Sequence, residues 1–327
     1  MLRPLTVLVL AEPETSQLEL LKNCPPEIQF ILATSFAEIG SRASEIEAIL
    51  VWSGKVGGAS GIVPECVARL PNLRWIHTRW AGMDAFLFPE LIQSNIVVTN
   101  ARGVYAESLA EFVIGGILYF AKDFPRMRRN QLARQWSPFD VRMIAGSTLG
   151  IFGYGAIGKA CAERAKAMKM NIVAIRRSPE KALGDLCVDE IHPPEELLAI
   201  SPRLDYLVVT APLTESTRGA VGKDVFEALP NAAVVLNVGR GPVVDEPALI
   251  EALSSGQIRG AALDVFTHEP LHESSPFYEM ENVLLSPHCA DNTETWLDDT
   301  MLFFRENLLR FASGKPLENI VDKRAGY

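Results

Sequence analysis

The 327-residue chain is 48% apolar and 22% charged, with 31 basic against 40 acidic residues and a net charge of -9. That length exceeds one ordinary hydrophobic core and suits two domains. The acidic balance gives no electrostatic reason to expect nucleic acid or an anionic membrane as partner, so any small anionic ligand must be met by local basic residues.

Leu5 to Leu10 is apolar, but it is short and runs into Glu12-Pro13 without a small-residue cleavage pattern, so it is expected as a first strand rather than a signal core. Further short apolar runs follow at Ile28 to Leu32, Ala48 to Trp52, Leu73 to His77 and Ile96 to Val98, separated by helix-compatible segments. This rhythm predicts βαβ units and a parallel sheet, punctuated by loops at Pro25-Pro26, Gly57-Gly58 and Pro71-Asn72. Ala106 to Phe124 reads as a helix apolar nearly all round, which requires burial on several sides, in a core or between domains or subunits. Its uncharged run Phe112 to Ala121 is about half the length needed to span a bilayer. Pro125 to Trp136 is basic and poor in apolar residues, and is expected to cross the surface.

A second set of strands is expected at Thr148 to Phe152, Asn171 to Ile175, Tyr206 to Val209, Ala233 to Asn237, Gly260 to Asp264 and Val283 to Leu285. Several are continuous in Val, Ile, Leu and Ala, as strands covered by helices on both faces are. A last helix, Trp296 to Phe311, precedes Gly314-Lys315-Pro316 and a terminal segment able to return to the first domain. Cys24, Cys66, Cys161, Cys187 and Cys289 lack C-x-x-C spacing, which suggests neither zinc nor a disulfide framework and makes a reducing cytoplasm the default.

The second set opens on Leu149 to Ala160, LGIFGYGAIGKA, with Gly153, Gly155 and Gly158 on G-x-G-x-x-G spacing between an apolar strand and a helical segment. Gly153 is expected to make the sharp turn, Gly155 to let backbone approach a pyrophosphate, and Gly158 to let helix and strand pack closely. The helix start then aims free N–H groups at the anion. In sheets of this kind ligands lie outside the carboxyl ends of the strands. Arg240 in LNVGRGPVVDEPAL, Glu269 in ALDVFTHEPL and His288 in LLSPHCA each follow such a strand, so a cation, a carboxylate and an imidazole are expected to converge.

These motifs, N-x-x-R-G-x-x-V-D, D-V-F-x-x-E-P and P-H-x-A, resemble those of the D-isomer-specific 2-hydroxyacid dehydrogenase family. The resemblance extends from LRWIHTRWAGMD (Leu73 to Asp84) through VTNARGVYAESLAE (Val98 to Glu111) to Gly326-Tyr327. It implies an α/β fold of two doubly wound parallel-sheet domains, with a Rossmann cofactor domain inserted into a flavodoxin-like substrate domain and the active site in the cleft between them. The expected boundaries are 1–102 with 290–327 for the substrate domain and 103–289 for the cofactor domain. The activity implied is reduction of a small 2-oxo acid, as in the glyoxylate and hydroxypyruvate reductases, to the D-2-hydroxy acid.

Such a reduction needs a proton donor at the carbonyl oxygen and a cation for the carboxylate. His288 suits the first because its charge changes near neutral pH, with Glu269 fixing its tautomer, and Arg240 offers a planar fork for the second. By similarity, backbone N–H groups around Trp80, Ala81 and Gly82 hold the other side of the carboxylate, and Asp264 orients the nicotinamide amide. Cofactor contacts are expected from Gly153, Tyr154, Gly155, Ala156, Ile157 and Gly158, from Thr210, Pro212 and Thr217, from Val238, Gly239 and Arg240, and from His288 and Ala290. His77, His192, His268 and His272 are expected to be structural or exposed.

Three positions depart from the family pattern. The usual acid at the end of the strand after the glycine turn is absent, and NIVAIRRSP places Arg176 and Arg177 there instead. A guanidinium there suits the 2′-phosphate of NADP, so NADPH is expected over NADH, with Ser178 adding a hydroxyl. Thr210 replaces a frequent His, and Asp291 stands where a small residue is common. A homodimer through the Ala106 to Phe124 helix is expected. Two other readings share the fold: a dinucleotide-sensing, corepressor-like binding protein, against which the Arg240, Glu269 and His288 set argues, and NAD-dependent oxidation of a D-2-hydroxy acid.

Overall fold

The computed structural model describes residues 3–58 and 61–327. The chain divides into two compact units, Met1–Val104 with Glu294–Tyr327, and Tyr105–Thr293. Each is an α/β unit around one all-parallel sheet, which is the fold class the sequence indicates.

The first unit carries β1 (Leu5–Leu10), β2 (Ile28–Ala33), β3 (Ile46–Val51), β4 (Trp75–Thr78) and β5 (Val97–Asn100) in the order β2-β1-β3-β4-β5. The central strands β3 and β4 are buried along nearly their whole length, with only Glu47 of β3 part-exposed, so both faces must be covered. The helix Trp296–Ala312 covers one face, packing Met301, Phe304 and Leu308 against Leu5, Val7, Leu50 and Trp75. The C-terminal segment closes the same unit: Ile320 bridges antiparallel to Thr99, Val321 is buried, and the Lys323 ammonium donates to the carbonyls of Leu91, Ser94 and Ile96. His77 belongs to this core. Its Nδ1 lies 2.7 Å from the Thr99 hydroxyl, its ring packs on Phe304, and burial pushes the imidazole down to about 3, so it stays neutral at physiological pH.

The second unit carries β6 (Thr148–Phe152), β7 (Asn171–Ile175), β8 (Glu190–His192), β9 (Tyr206–Val209), β10 (Val234–Asn237), β11 (Gly260–Leu263) and β12 (Val283–Leu285), ordered β12-β11-β10-β9-β6-β7-β8. The order reverses between β6 and β9, so the crevice above their carboxyl ends is the place where a doubly wound sheet takes a ligand. β8 was not expected, because three partly exposed, largely polar residues at a sheet edge carry no apolar signal.

The first helix of this unit ends at Ala121, three residues short of the expected Phe124. Asp123, at φ +53°, breaks it and caps a second helix, Phe124–Leu132, through its carboxylate and the Arg126 N–H. Part of the segment expected merely to cross the surface is therefore helical. The apolar face of Ala106–Ala121 is largely covered inside its own unit: Gly116 packs within contact of Leu236 and Ala262, and Arg164 ties the helix Ala156–Ala167 to Glu107. The exposed apolar side chains lie just beyond, at Phe124, Met127, Leu132, Trp136, Val141 and Met143.

Candidate active site

The glycine turn follows β6 directly. Gly153 has φ +104°, and a Cβ there would fall 2.4 Å from the Ala211 nitrogen, so both conformation and space demand glycine. A Cβ on Gly158 would lie 2.9 Å from both the Gly153 carbonyl oxygen and the Ile151 side chain, which is the close helix-to-strand packing expected of it. Around Gly155 there is open space instead. The helix Ala156–Ala167 starts there, and its first-turn N–H groups, Ala156, Ile157 and Gly158, have no carbonyl one turn back to accept from them. Open space beside a glycine, facing a helix N-terminus, fits a pyrophosphate.

Neighbouring side chains brace this turn. The Thr210 hydroxyl donates to the Gly153 carbonyl at 2.6 Å, so the residue that departs from the usual His fixes the turn from below. The Tyr154 ring is buried and its hydroxyl donates to Asp185 at 3.0 Å, leaving this residue to serve a ligand through its backbone. Likewise the Thr217 hydroxyl is spent inside its own turn, donating to the Pro212 carbonyl and accepting from the Thr214 N–H.

The N–H groups of Gly153 and Tyr154 both donate to the Ile175 carbonyl, at 2.9 and 3.2 Å. The end of β7 is thus pinned to the glycine turn, with Arg176, Arg177 and Ser178 emerging beside it. The Arg176 N–H donates to the His192 carbonyl, and its side-chain Nε is buried with no hydrogen-bond partner among the described residues. Arg177 is exposed. A buried guanidinium nitrogen in want of an acceptor, next to an exposed guanidinium, fits an anionic group at this strand end.

At the other carboxyl ends the imidazole, the carboxylate and the guanidinium are held by interlocking turns. Asn237, the last residue of β10, is buried and bridges its turn, its carbonyl accepting from the Gly239 N–H and its amide donating to the Arg240 carbonyl. That is the physical use of the first residue in N-x-x-R-G. The Arg240 guanidinium donates to the Gly239 carbonyl at 2.8 Å. After β11, the buried Asp264 accepts on one oxygen from the Ser286 hydroxyl and from the N–H groups of Cys289 and Ala290, at 2.6, 3.0 and 3.0 Å. Asp264 therefore shapes the turn that presents His288, a task the sequence does not reveal. The Ser108 hydroxyl, donating to the Ala290 carbonyl, holds the turn from the opposite side.

His288 has φ +52°, a conformation that costs about 1–3 kcal/mol in a non-glycine residue and is retained where the surroundings impose it. Its Nδ1 meets Glu269 Oε2 at 2.6 Å, and Glu269 Oε1 accepts from the Phe266 N–H at 2.8 Å. Both carboxylate oxygens are thus engaged, and Nε2 is the ring nitrogen outside this pairing. Asp291 is close enough to feel the charges of both His288 and Arg240; burial, with Asp264 adding to it, holds its carboxyl above the usual range despite them. Sequence reasoning brings Arg240, Glu269 and His288 to one end of one sheet, and that is where they stand.

The comparisons with known proteins bear directly on this arrangement. Residues 114–290, more than half of the chain, match the family described as D-isomer specific 2-hydroxyacid dehydrogenase, NAD binding domain. A glyoxylate reductase of Aeropyrum pernix is 36% identical over 269 residues, covering 79% of each chain. This chain belongs to the D-isomer-specific 2-hydroxyacid dehydrogenase family. Among solved structures, a D-isomer specific 2-hydroxyacid dehydrogenase from Xanthobacter autotrophicus Py2, in complex with NADPH and MES, aligns over 98% of this chain and 99% of its own with a TM-score of 0.85 and 30% identity. Against a D-3-phosphoglycerate dehydrogenase of Archaeoglobus fulgidus, 30% identical over 96% of this chain, the present family member spans 59% of the relative's length.

In this 2-hydroxyacid dehydrogenase family member the first unit holds the remaining expected substrate residues. The Trp80 carbonyl accepts from Thr78 Oγ1 and the Ala101 N–H, and the Ala81 carbonyl accepts from the Asn100 amide. Because N–H and C=O of one trans peptide point in opposite directions, anchoring these carbonyls turns the Ala81 and Gly82 N–H groups the other way. Beyond β3 and β4 a cavity of about 610 Å³ is lined by Glu12, Trp52, Ser53, Lys55 and Arg79 among others. The Arg79 guanidinium lies over the rings of Trp52 and Trp296, at 5.4 and 5.5 Å. The Ser53 hydroxyl donates to Glu12 at 2.7 Å and holds its carboxyl below the usual range.

Of the other histidines, His192 stands between Glu190 and Glu196, which raise it above the ordinary value against the opposing effect of burial. It is an ion-paired edge residue, remote in role from proton donation to a substrate. No group of three or more His, Cys, Asp or Glu among the described residues is arranged to hold a metal ion, and no described helix is long and apolar enough to cross a membrane.

Proposed function

We propose that this protein reduces a small 2-oxo acid, of glyoxylate or hydroxypyruvate type, to the D-2-hydroxy acid with NADPH. The observation that carries the reading is the chain His288 Nδ1 to Glu269 to Phe266 N–H, built beside the Arg240 turn at the carboxyl ends of β10 to β12. The naming of a relative as glyoxylate reductase and the NADPH in a similar solved structure support the substrate type and the cofactor.

In this reading the nicotinamide, when bound, supplies the hydride. Gly155 and the first-turn N–H groups of Ala156, Ile157 and Gly158 hold the pyrophosphate, Arg176, Arg177 and Ser178 the ribose phosphate, and Thr210, Pro212, Thr217, Val238, Gly239 and Ala290 line the dinucleotide. Asp264 has one oxygen committed to the His288 turn, so orienting an amide falls to the other. Arg240 pairs bidentately with the substrate carboxylate, an arrangement that a lysine would not reproduce. Glu269 holds Nδ1, which commits Nε2 of His288 to giving its proton to the carbonyl oxygen. The share of Ala81 and Gly82 in holding the carboxylate rests on the family resemblance.

A panel of 2-oxo acids incubated with NADPH tests the assignment. We expect NADPH oxidation with two- or three-carbon members and, from the three-carbon members, whose product is chiral, a D-2-hydroxy acid; no turnover across the panel, or an L product from a three-carbon member, overturns it. The five free cysteines suit a reducing compartment, in keeping with the cytoplasm.

We also propose a homodimer. The apolar surface that motivates it is the 124–143 segment, where Trp136 is 99% exposed beside Leu132, Val141 and Met143, rather than the preceding helix. Light scattering at micromolar concentration is expected to return twice the 35.9 kDa chain mass, and a monomer value rules the dimer out.

A further inference from the structure

The loop bearing Glu269 is tied down by the stretch that bears Arg240. A Cβ on Gly241 would fall 1.9 Å from the Phe266 carbonyl carbon and 2.1 Å from its oxygen, so the two backbones run in direct contact and admit no side chain between them. Five residues on, Glu246 opens the helix Glu246–Ser254, and its Oε1 accepts from the Thr267 N–H. Capping of that helix belongs to Asp245, whose carboxylate accepts from the Ala248 N–H. The Glu246 carboxylate is turned away from its own helix toward the neighbouring loop.

Two successive N–H groups of the loop therefore do complementary work. That of Phe266 orients Glu269, and that of Thr267 is held by Glu246, while the buried Phe266 ring, packed on Phe277, fixes the residue between them. We propose that Glu246 is a positioning residue for the acid: it acts through the Phe266–Thr267 backbone on Glu269, and through Glu269 on His288. This rests on the assignment of His288 and Glu269 as the proton-donating pair.

The test compares Glu246→Ala, Glu246→Gln and Glu246→Ala in a Glu269→Gln background. Glutamine keeps an acceptor oxygen for Thr267, and alanine does not. Because Thr267 is exposed, water replaces the lost acceptor and the fold is expected to survive, with a thermal midpoint close to wild type. Glu246→Ala should lose roughly 10- to 100-fold in kcat at unchanged KM for NADPH, the scale of a small misplacement of a catalytic group. The basic limb of its reductive pH profile should move to lower pH, and Glu246→Gln should restore most of the loss. In the Glu269→Gln background Glu246→Ala should add nothing further. A readout independent of turnover is the low-field proton resonance of the His288 Nδ1–H in the resting protein, expected to be sharp in wild type and Glu246→Gln and exchange-broadened in Glu246→Ala. An unchanged resonance and pH profile in Glu246→Ala, or an equal further loss in the Glu269→Gln background, overturns the proposal. Failure of every 2-oxo acid to react overturns the functional reading instead, with the resonance still reporting on the tie.

Discussion

Replacing His288 by alanine is expected to lower the turnover of 2-oxo acid reduction by roughly 10²- to 10⁴-fold while NADPH affinity stays close to wild type. Alanine removes the proton donor from the carbonyl oxygen and leaves the glycine turn, the Arg176 to Ser178 strand end and the Arg240 turn as they are. Loss of kcat at nearly constant affinity is the signature of an interaction made in the transition state. Glu269→Gln refines the same assignment. Its Oε2 accepts from His288 Nδ1 at 2.6 Å, and a carboxylate favours the imidazolium more than an amide does. With the amide that support is weaker, so the basic limb of the reductive profile should move to lower pH. Activity retained in His288→Ala removes the histidine from the mechanism, and a superimposable profile in Glu269→Gln removes the glutamate.

The second large effect is expected in cofactor choice. Wild-type catalytic efficiency should be higher with NADPH than with NADH, because the strand end pinned to the glycine turn carries two guanidinium groups and no carboxylate. A carboxylate there would accept from ribose hydroxyls and repel a phosphate. Charge-assisted hydrogen bonds are worth roughly 1.5–3 kcal/mol each, so Arg177→Ala should raise KM for NADPH by roughly 10- to 150-fold and leave NADH nearly untouched. Arg176→Ala should act in the same direction. Its buried Nε has no acceptor among the described residues, and a buried donor left unsatisfied costs about 1–3 kcal/mol that a bound phosphate would relieve. Equal or better use of NADH by the wild-type protein overturns the preference and leaves the arginine pair without a role.

Much of this organisation is legible along the chain because it is local. Gly153 and Gly158 announce a strand–turn–helix, in which the close packing of Gly158 on Gly153 and Ile151 is local while that of Gly153 on Ala211 is not, and the apolar runs of β6, β9 and β10 announce strands buried on both faces. The motifs around Arg240, Glu269 and His288 are legible as a candidate site because each sits just past a strand. What escapes a linear reading is polar or long-range. The edge strand β8 holds its place through pairing with β7 and has no apolar alternation to betray it. The helix Phe124–Leu132 depends on a single Asp123 cap in a basic stretch otherwise suited to solvent.

By itself, then, the sequence determined two α/β units and the glycine turn, and it singled out His288, Glu269 and Arg240 as the residues proposed for acid, partner and carboxylate cation, since period, glycine spacing and residue type are properties of neighbours in the chain. Only the tertiary structure decided how those groups are held. Asp264 builds the His288 turn 22 to 26 residues away, Glu246 grips the Glu269 loop from 21 residues away, and Gly241 lets two backbones touch. Each is a contact between the carboxyl ends of different strands, and which ends are adjacent is fixed by the order of strands in the sheet, which no single segment encodes.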